Sequence, residues 1–378
     1  MAMERLFKLM AEKRASDLFI AVGSAVHMKV NGTTIPINQQ LMDNAMIQSL
    51  LSEIITPVEF ETLATQHELN KGFGVSGIGR FRLSAFTQRS STSAVIRFIA
   101  TEIPALDTLN LPPIVGDIIM EKRGLVLVVG ATGSGKSTTI ASMLDMRNIK
   151  RTGHILTLED PIEYVFRNKK SIVNQREIGS DTKSLEVALR NALRQAPDCI
   201  LIGEIRDKDT MTAAIAYAQS GHLCLATLHA NNSYHALNRI VSFYPLENRA
   251  TLLSDLSAAL RSVISQRLVR ARSGGRLPAV EVLLNTRHIA ELIEKGEVSS
   301  IKEAMEKSLS PGSQTFEQAL YRMIREEQIS EEEALAHADS PTNLLWLINN
   351  APPVVTPTVE EESKSHITTA FQEFTLNA

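Results

Sequence analysis

Cysteine, tryptophan and tyrosine are scarce: the 378 residues hold two, one and five of them. Cys199 and Cys224 both sit inside apolar runs, too few and too embedded for a disulfide framework or a four-ligand zinc site, which predicts a reduced, cytosolic chain. A basic surplus is missing as well. The formal net charge is −3 and no basic tract stands out, so the chain lacks the footprint of a nucleic-acid coat, and so few large aromatics leave little to stack bases on. Long hydrophobic runs are absent too. The purest one near the middle, residues 125–129, falls far short of the roughly 20 residues a spanning helix needs, so no transmembrane segment is predicted. Residues 1–8 read as an amphipathic helix without the cationic start, apolar block and small-residue cleavage site of a secretory leader. Any membrane association is expected to come through a partner.

What is present suffices for large cores: 44% of residues are apolar and 21% charged. At roughly 150 residues per domain the length predicts two to three domains. The first unit, 1–100, reads as a small mixed α+β domain. Segments 27–30 and 33–36 flank Asn31-Gly32, a hairpin-turn dipeptide. Helices are predicted over 43–51 and 57–65. Residues 79–86 alternate strictly, with Arg80, Arg82 and Ser84 on one face and Phe81, Leu83 and Ala85 on the other. A partner strand over 94–99 carries Arg97. The stretch 101–113, with Pro104, Pro112 and Pro113, reads as a linker. From 114 to 345 strands (124–129, 154–158, 199–202, 223–228) alternate with helices (136–146, 185–194, 209–219), the pattern of crossover units and a mostly parallel sheet. Beyond 252 helices are expected to dominate, first an amphipathic one over 252–268, with a strand over 279–284. Residues 346–378 read as a flexible tail, Pro- and Glu-rich over 351–363.

Gly130-Ala131-Thr132-Gly133-Ser134-Gly135-Lys136-Ser137 satisfies every fixed position of the phosphate-binding G-x-x-x-x-G-K-[ST] loop, between a buried strand and a helix. Its glycines let backbone N–H groups turn inward, and the helix N-terminus adds its positive end. Residues 131–138, Thr138 included, are therefore expected to hold ATP, Lys136 on the outer phosphates and the Ser137 hydroxyl on Mg²⁺. Hydrolysis further needs a group to orient water and positive charge for the transition state. Three segments lead to the same sheet edge. One is Leu158-Glu159-Asp160-Pro161-Ile162-Glu163, another the apolar strand ending in Gly203-Glu204, and the third Thr227-Leu228-His229, with His222 at that strand's other end.

In these segments the chain resembles the hexameric secretion ATPases of type IV pili and type II secretion, and within them the PilT/PilU family of retraction motors. The matching segments are GATGSGKST (130–138), ILTLEDPIEYVF (155–166), DCILIGEIRD (198–207) and GHLCLATLHANN (221–232), with ASDLF (15–19) and GRFRLSAF (79–86) ahead of them; the resemblance covers about residues 1 to 340. The extra N-terminal region and four-cysteine insertion of the assembly ATPases are absent. Residues 285–293 depart from the AIRNL element of PilT-type members, and GHLCLATLHANN, the LFI after Ser16-Asp17 and the extra tail beyond Asn343 resemble the PilU-type ones more closely.

The resemblance implies a PAS-like N-terminal domain, a RecA-like P-loop ATPase domain with a helical C-terminal extension, and a six-membered ring. It also implies a cytoplasmic ATPase at the inner face of the inner membrane that powers or assists pilus retraction, partnered by a PilT-like ATPase and an inner-membrane platform protein. By the same resemblance Arg82 and Arg97 are assigned to a neighbouring subunit's nucleotide, Glu163 is preferred over Glu204 as the water-orienting base, and Glu204 goes to the Mg²⁺ shell with Ser137. His229, and with it His222, joins the nucleotide-binding set. Two other readings stand beside this one: a RecA- or helicase-like nucleic-acid motor, and a weakly catalytic ATP-binding adaptor ring.

Overall fold

The computed structural model describes residues 2–30, 32–99, 102–308 and 310–350. Two sheets organise it. The first is antiparallel throughout, in the order β3-β2-β1-β6-β5-β4. Its strands are β1 (Ala15–Ile20), β2 (His27–Val30), β3 (Thr33–Pro36), β4 (Glu68–Val75), β5 (Gly79–Gln88) and β6 (Ser91–Ile99). The period-2 pattern of β5 sends Phe81, Leu83 and Ala85 into a core with Met3, Phe7 and Met10 of α1 (Ala2–Glu12). The Phe7 and Phe81 rings stack with centroids 4.2 Å apart. Ile47 and Leu51 of α2 (Asn44–Leu51) and Leu63 of α3 (Pro57–Gln66) join the same core. Asp43 caps α2, and α3 begins with a Thr56/Glu59 capping box and Pro57, so both starts are written in local chemistry. The β2–β3 hairpin forms as expected; Asn31 of its turn lies outside the described residues.

The second sheet has the order β13-β12-β7-β11-β10-β8-β9, parallel except for the β13 edge. Its strands are β7 (Gly124–Val129), β8 (Gly153–Glu159), β9 (Ser171–Glu177), β10 (Cys199–Ile202), β11 (Leu223–Leu228), β12 (Leu260–Arg270) and β13 (Arg276–Leu284). All of β7 is buried, as a parallel strand covered on both faces must be. Val126 and Val128 face α4 (Ile114–Ile119) and α5 (Lys136–Lys150). Leu125, Leu127 and Val129 face α6 (Leu185–Ala192), α7 (Lys208–Gln219), α8 (Ser233–Ser242) and α9 (Arg249–Ala259), with α10 (Arg287–Lys295) and α11 (Ile301–Glu306) behind them. The remaining helices, α12 (Phe316–Arg325), α13 (Glu331–His337) and α14 (Pro341–Asn350), pack over Val269 and Ala279 at the ends of β12 and β13.

Three expectations need correction or completion. The helix expected over 252–268 is α9 followed by strand β12. Leu256, Leu260, Val263 and Ile264 imitate a helical stripe, but β12 lies between β7 and β13 and is buried on both faces, so no alternation shows in it. Strands β1, β4 and β9 were not anticipated: β4 carries Gly72 and Gly74, and β9 is a polar edge strand. The tail expected from 346 begins inside a helix, since α14 reaches Asn350, while 351–378 lie outside the described residues. Residues 102–113 carry a 3₁₀ turn, Leu106–Leu109, and the Ser142 hydroxyl of α5 donates to the Pro104 carbonyl at 2.7 Å.

Within the second sheet, the buried Glu281 of β13 accepts from the Ser233 amide at the start of α8 (2.7 Å) and from the Ser265 hydroxyl of β12 (2.9 Å). Burial raises its carboxyl above the usual range; the Ser233 and Ser265 hydrogen bonds oppose that, and Asp339 adds to it. The native state thus keeps a proton that the unfolded chain releases, and between the two pKa values stability falls as pH rises. Glu281→Gln, which keeps an acceptor but cannot ionise, is expected to melt above the unaltered protein at pH 8. Thermal unfolding should show that gap closing as pH falls to 5, because the protonated carboxyl and the amide then behave alike.

Candidate nucleotide-binding site

β7 delivers the chain to the carboxyl edge of its sheet, where residues 130–135 turn back over the strand and enter α5 at Lys136. Gly130, Gly133 and Gly135 have φ of +155°, +79° and +89°. A Cβ on Gly130 would lie 2.4 Å from Ser134 Oγ and 2.5 Å from the Gln266 carbonyl, and one on Gly135 2.7 Å from Gln266 Nε2. The loop is therefore shaped by its own conformation and by β12 pressing on it. Ser134 Oγ is buried with no hydrogen-bond partner, and the N-terminal amides of α5 open beside it, a cradle suited to phosphate oxygens. Lys136 Nζ donates to the carbonyls of Gly130 and Ala131, both at 2.9 Å, folding the side chain across the loop's mouth. Burial holds its ammonium below the usual lysine range, against the pull of Glu204 and Glu163.

In front of the loop lies a cleft of about 800 Å³. Thr132, Gly133, Gly135, Lys136, Ser137 and Thr138 line its floor, with the buried Ser134 behind them; Ala131 does not line it. Glu159, Asp160 and Glu163 enter after β8, Glu204 and Arg206 after β10, Thr227 and His229 at the end of β11. Their states differ. Glu159 accepts from the Thr157 hydroxyl (2.6 Å) and Gln175 Nε2 (3.2 Å), and its carboxyl is raised by burial. Glu204 accepts from Arg206 Nε at 2.7 Å and lies 3.4 Å from His229 Nε2, while Arg206 also approaches Asp160 at 3.8 Å. The exposed Glu163 carboxylate has no hydrogen bond or ion pair among the described residues. Thr138 Oγ1 and the Tyr164 hydroxyl, 2.9 Å apart, tie the start of α5 to the Glu163 segment.

One expectation is corrected here. His222 precedes β11, at the end of the sheet away from the loop, and its ring contacts the Tyr217 carbonyl and Ser220 hydroxyl. Along that parallel strand it stands roughly 20 Å from His229, so it is no part of the cleft. Arg97, expected at a neighbour's nucleotide, lines the cleft of its own chain in this single subunit and is held by Asp17 Oδ1 at 2.8 Å. Arg82 lies directly across from Arg97 in the β5–β6 register, does not line the cleft, and has no ion pair among the described residues. Cys199 and Cys224 are wholly buried, and burial pushes their thiols up, that of Cys199 to about 12.

Gln266, Leu268 and Arg276 are not legible as cleft residues in the sequence. Gln266 Oε1 accepts from the buried Thr139 hydroxyl at 2.8 Å, while Leu268 and Arg276 line the cleft. β12 and β13 form an antiparallel pair, so the turn that joins them, with Arg276 behind it, lies at the carboxyl edge of the parallel strands. Reading 252–268 as a helix hid that turn; the signal was Gly274-Gly275 between two apolar runs.

Comparison with known proteins places this geometry among relatives. The family model of type II/IV secretion system proteins matches residues 3–336. The chain is 48% identical over 349 residues to the type IV pilus ATPase PilU of Pseudomonas aeruginosa, covering 92% of this chain and 91% of that one. It is 38% identical over 343 residues to the type IV pilus retraction ATPase PilT of the same organism, covering 91% and 100%. A crystal structure of the pilus retraction motor PilT with bound ADP superposes with a TM-score of 0.84 at 39% identity, covering 90% of this chain and 97% of that one. Since a Cβ at residue 130 collides with backbone as well as side chain, Gly130→Ala is expected to weaken binding of a fluorescent ADP analogue by about tenfold or more. Equilibrium titration checks this, with circular dichroism confirming that the variant is folded.

Proposed function

Because the chain belongs to the type II/IV secretion system protein family, with a PilU and a PilT among its relatives, we propose that it is an ATPase whose hydrolysis of ATP powers or assists type IV pilus retraction. The observation that carries this reading is the convergence on one cleft of the loop lysine, carboxylates from two strand ends and an arginine from the other sheet. The nucleic-acid motor is not favoured: the net charge is −3 and these relatives are pilus ATPases.

The roles follow from what each group is free to do. Lys136, turned from the loop carbonyls onto the β- and γ-phosphates, neutralises charge there, and the 131–138 amides hold the rest. No cluster of three or more His, Cys, Asp or Glu able to hold a metal occurs among the described residues; a Mg²⁺ would come with the nucleotide. Ser137 and Glu204 would hold it, and the ion would supply charge neutralisation on the phosphates. Attack by water on the γ-phosphorus breaks the bond to the bridging oxygen and releases ADP and phosphate, and the water's proton needs an acceptor. Glu163 is that acceptor, because its carboxylate is unengaged, whereas Glu204 already holds Arg206 and His229. Arg97, with Arg82 beside it, supplies the guanidinium charge from the first sheet, and His229 couples to the γ-phosphate through Glu204. A homohexameric ring of such subunits works at the cytoplasmic face of the inner membrane, on a platform protein and alongside a PilT-like ATPase. Among the described residues no helix is long and apolar enough to cross a membrane.

Phosphate release from the purified chain with Mg-ATP tests the assignment. Lys136→Ala is expected to fall to background. Glu163→Gln should bind ATP as the unaltered protein does yet lose roughly 10²–10⁴ in kcat, and Arg97→Ala roughly 10³–10⁵. A Glu163→Gln protein at full rate beside an inactive Glu204→Gln would exchange the two carboxylates' roles, and no turnover under any condition would leave only the adaptor ring.

A further inference from the structure

Glu177 ends β9 outside the cleft, and no role in hydrolysis has been given to it. Its side chain is only 6% exposed, yet it is charged and joins parts of the molecule that are distant in sequence. Oε2 accepts from Arg80 of β5 at 3.1 Å and from the amide of Ile162 at 3.2 Å, and the Ser180 hydroxyl lies 3.4 Å from Oε1. Ile162 is the residue before Glu163. Arg80 shares its face of β5 with Arg82, which sits opposite Arg97. The neighbouring strand makes room for the carboxylate: a Cβ on Gly72 of β4 would stand 2.5 Å and 3.0 Å from its two oxygens and 3.1 Å from the Arg80 guanidinium. Gly72 has no positive φ, so its lack of a side chain serves the contact and not the backbone.

We propose that Glu177 is a positioning residue, a latch that sets the Glu163 segment of one sheet and the arginine strands of the other in register across the cleft. This rests on the roles given above to Glu163 and Arg97. A buried carboxylate bonded to both sides transmits a shift of either to the other, and a misplacement of about 1 Å at reacting groups costs up to roughly 100-fold in rate.

Gly72→Ala is the wedge that tests it, since Gly72 lines no part of the cleft and the added Cβ presses on both Glu177 oxygens, which hold Arg80 and the Ile162 amide. In the full-length protein it is expected to lower kcat roughly 10- to 100-fold while leaving KM for ATP and the affinity for ADP within about twofold, the mark of an interaction used in the transition state. In a Glu177→Ala background the same substitution should cost nothing further; should Glu177→Ala not fold, Gly72→Ala and Arg80→Gln serve instead and should be non-additive in kcat. Amide exchange over residues 160–166 in the nucleotide-free protein reads the latch without hydrolysis and is expected to accelerate about tenfold or more in Gly72→Ala. Unaltered kcat and exchange in Gly72→Ala, or additive effects in either pair, overturn the latch. A fully active Glu163→Gln overturns the base assignment instead, and the exchange measurement still decides the latch.

Discussion

Backbone amides must be gathered around a phosphate with no side chain in the way, and the structure is arranged around that requirement. A wholly buried strand brings the chain to the sheet edge, and three glycines at positive φ turn it over the strand end. The fit is not made by the loop alone. Gln266 of β12 presses its carbonyl and side chain against the positions of Gly130 and Gly135, and its amide oxygen takes the Thr139 hydroxyl of α5. Successive residues of a strand face opposite sides. Arg267 therefore emerges on the other face, where it lies 3.9 Å from the Phe316 ring, pairs with Asp339 and donates to the Asn231 carbonyl at 3.1 Å. One strand thus holds the phosphate cradle, the segment after His229 and the C-terminal helices.

The ion pairs around the cleft contribute placement more than stability. An exposed pair is worth about 0–1 kcal/mol, and a buried one must offset a desolvation cost of several kcal/mol per ion. Asp17 and Glu177 are both buried, and each holds an arginine of the β5–β6 face. Arg82 and Arg97 stand directly opposite each other, an arrangement in which like charges repel. Asp17 relieves Arg97, but Arg82 has no ion pair among the described residues. The first sheet therefore carries a repulsion that an arriving anion would lessen.

How much of this is legible in the sequence depends on whether the chemistry is local. The loop at 130–137, the alternation of β5, and strands β7, β10 and β11 are written in consecutive residues, and those segments fold as the pattern reads. Glu163, Glu204 and His229 were placed correctly at one edge because parallel strands share a direction. What escaped depends on neighbours in space. β12 is buried on both sides, so its pattern imitates a helix. Gln266 and Arg276 reach the cleft only once the β12–β13 turn is placed, and nothing adjacent to Gly72 announces that a carboxylate more than a hundred positions later will fill its missing side chain. His222 failed for the opposite reason: it is near His229 in sequence and a full strand length away in space.

Whether the two sheets close on a nucleotide is a matter of differential contact. A ligand shifts a conformational balance only as far as it binds one state better than the other. Lys136 and the loop amides belong to the second sheet and meet the phosphates whatever the first sheet does, so they add affinity without adding closure. Arg97 belongs to the first sheet, and an anion that reaches it as well as Lys136 favours the closed arrangement by the energy of that contact. ADP, one phosphate shorter, forfeits whatever part of the contact the γ-phosphate makes. Two fastenings limit how the sheets can move: Ser142 on the Pro104 carbonyl ties the connecting segment to the back of α5, and Glu177 on Arg80 ties β9 to β5. The first anchors the connection to the helix that begins at the cradle, and the second joins the sheets through the residue that also holds Ile162.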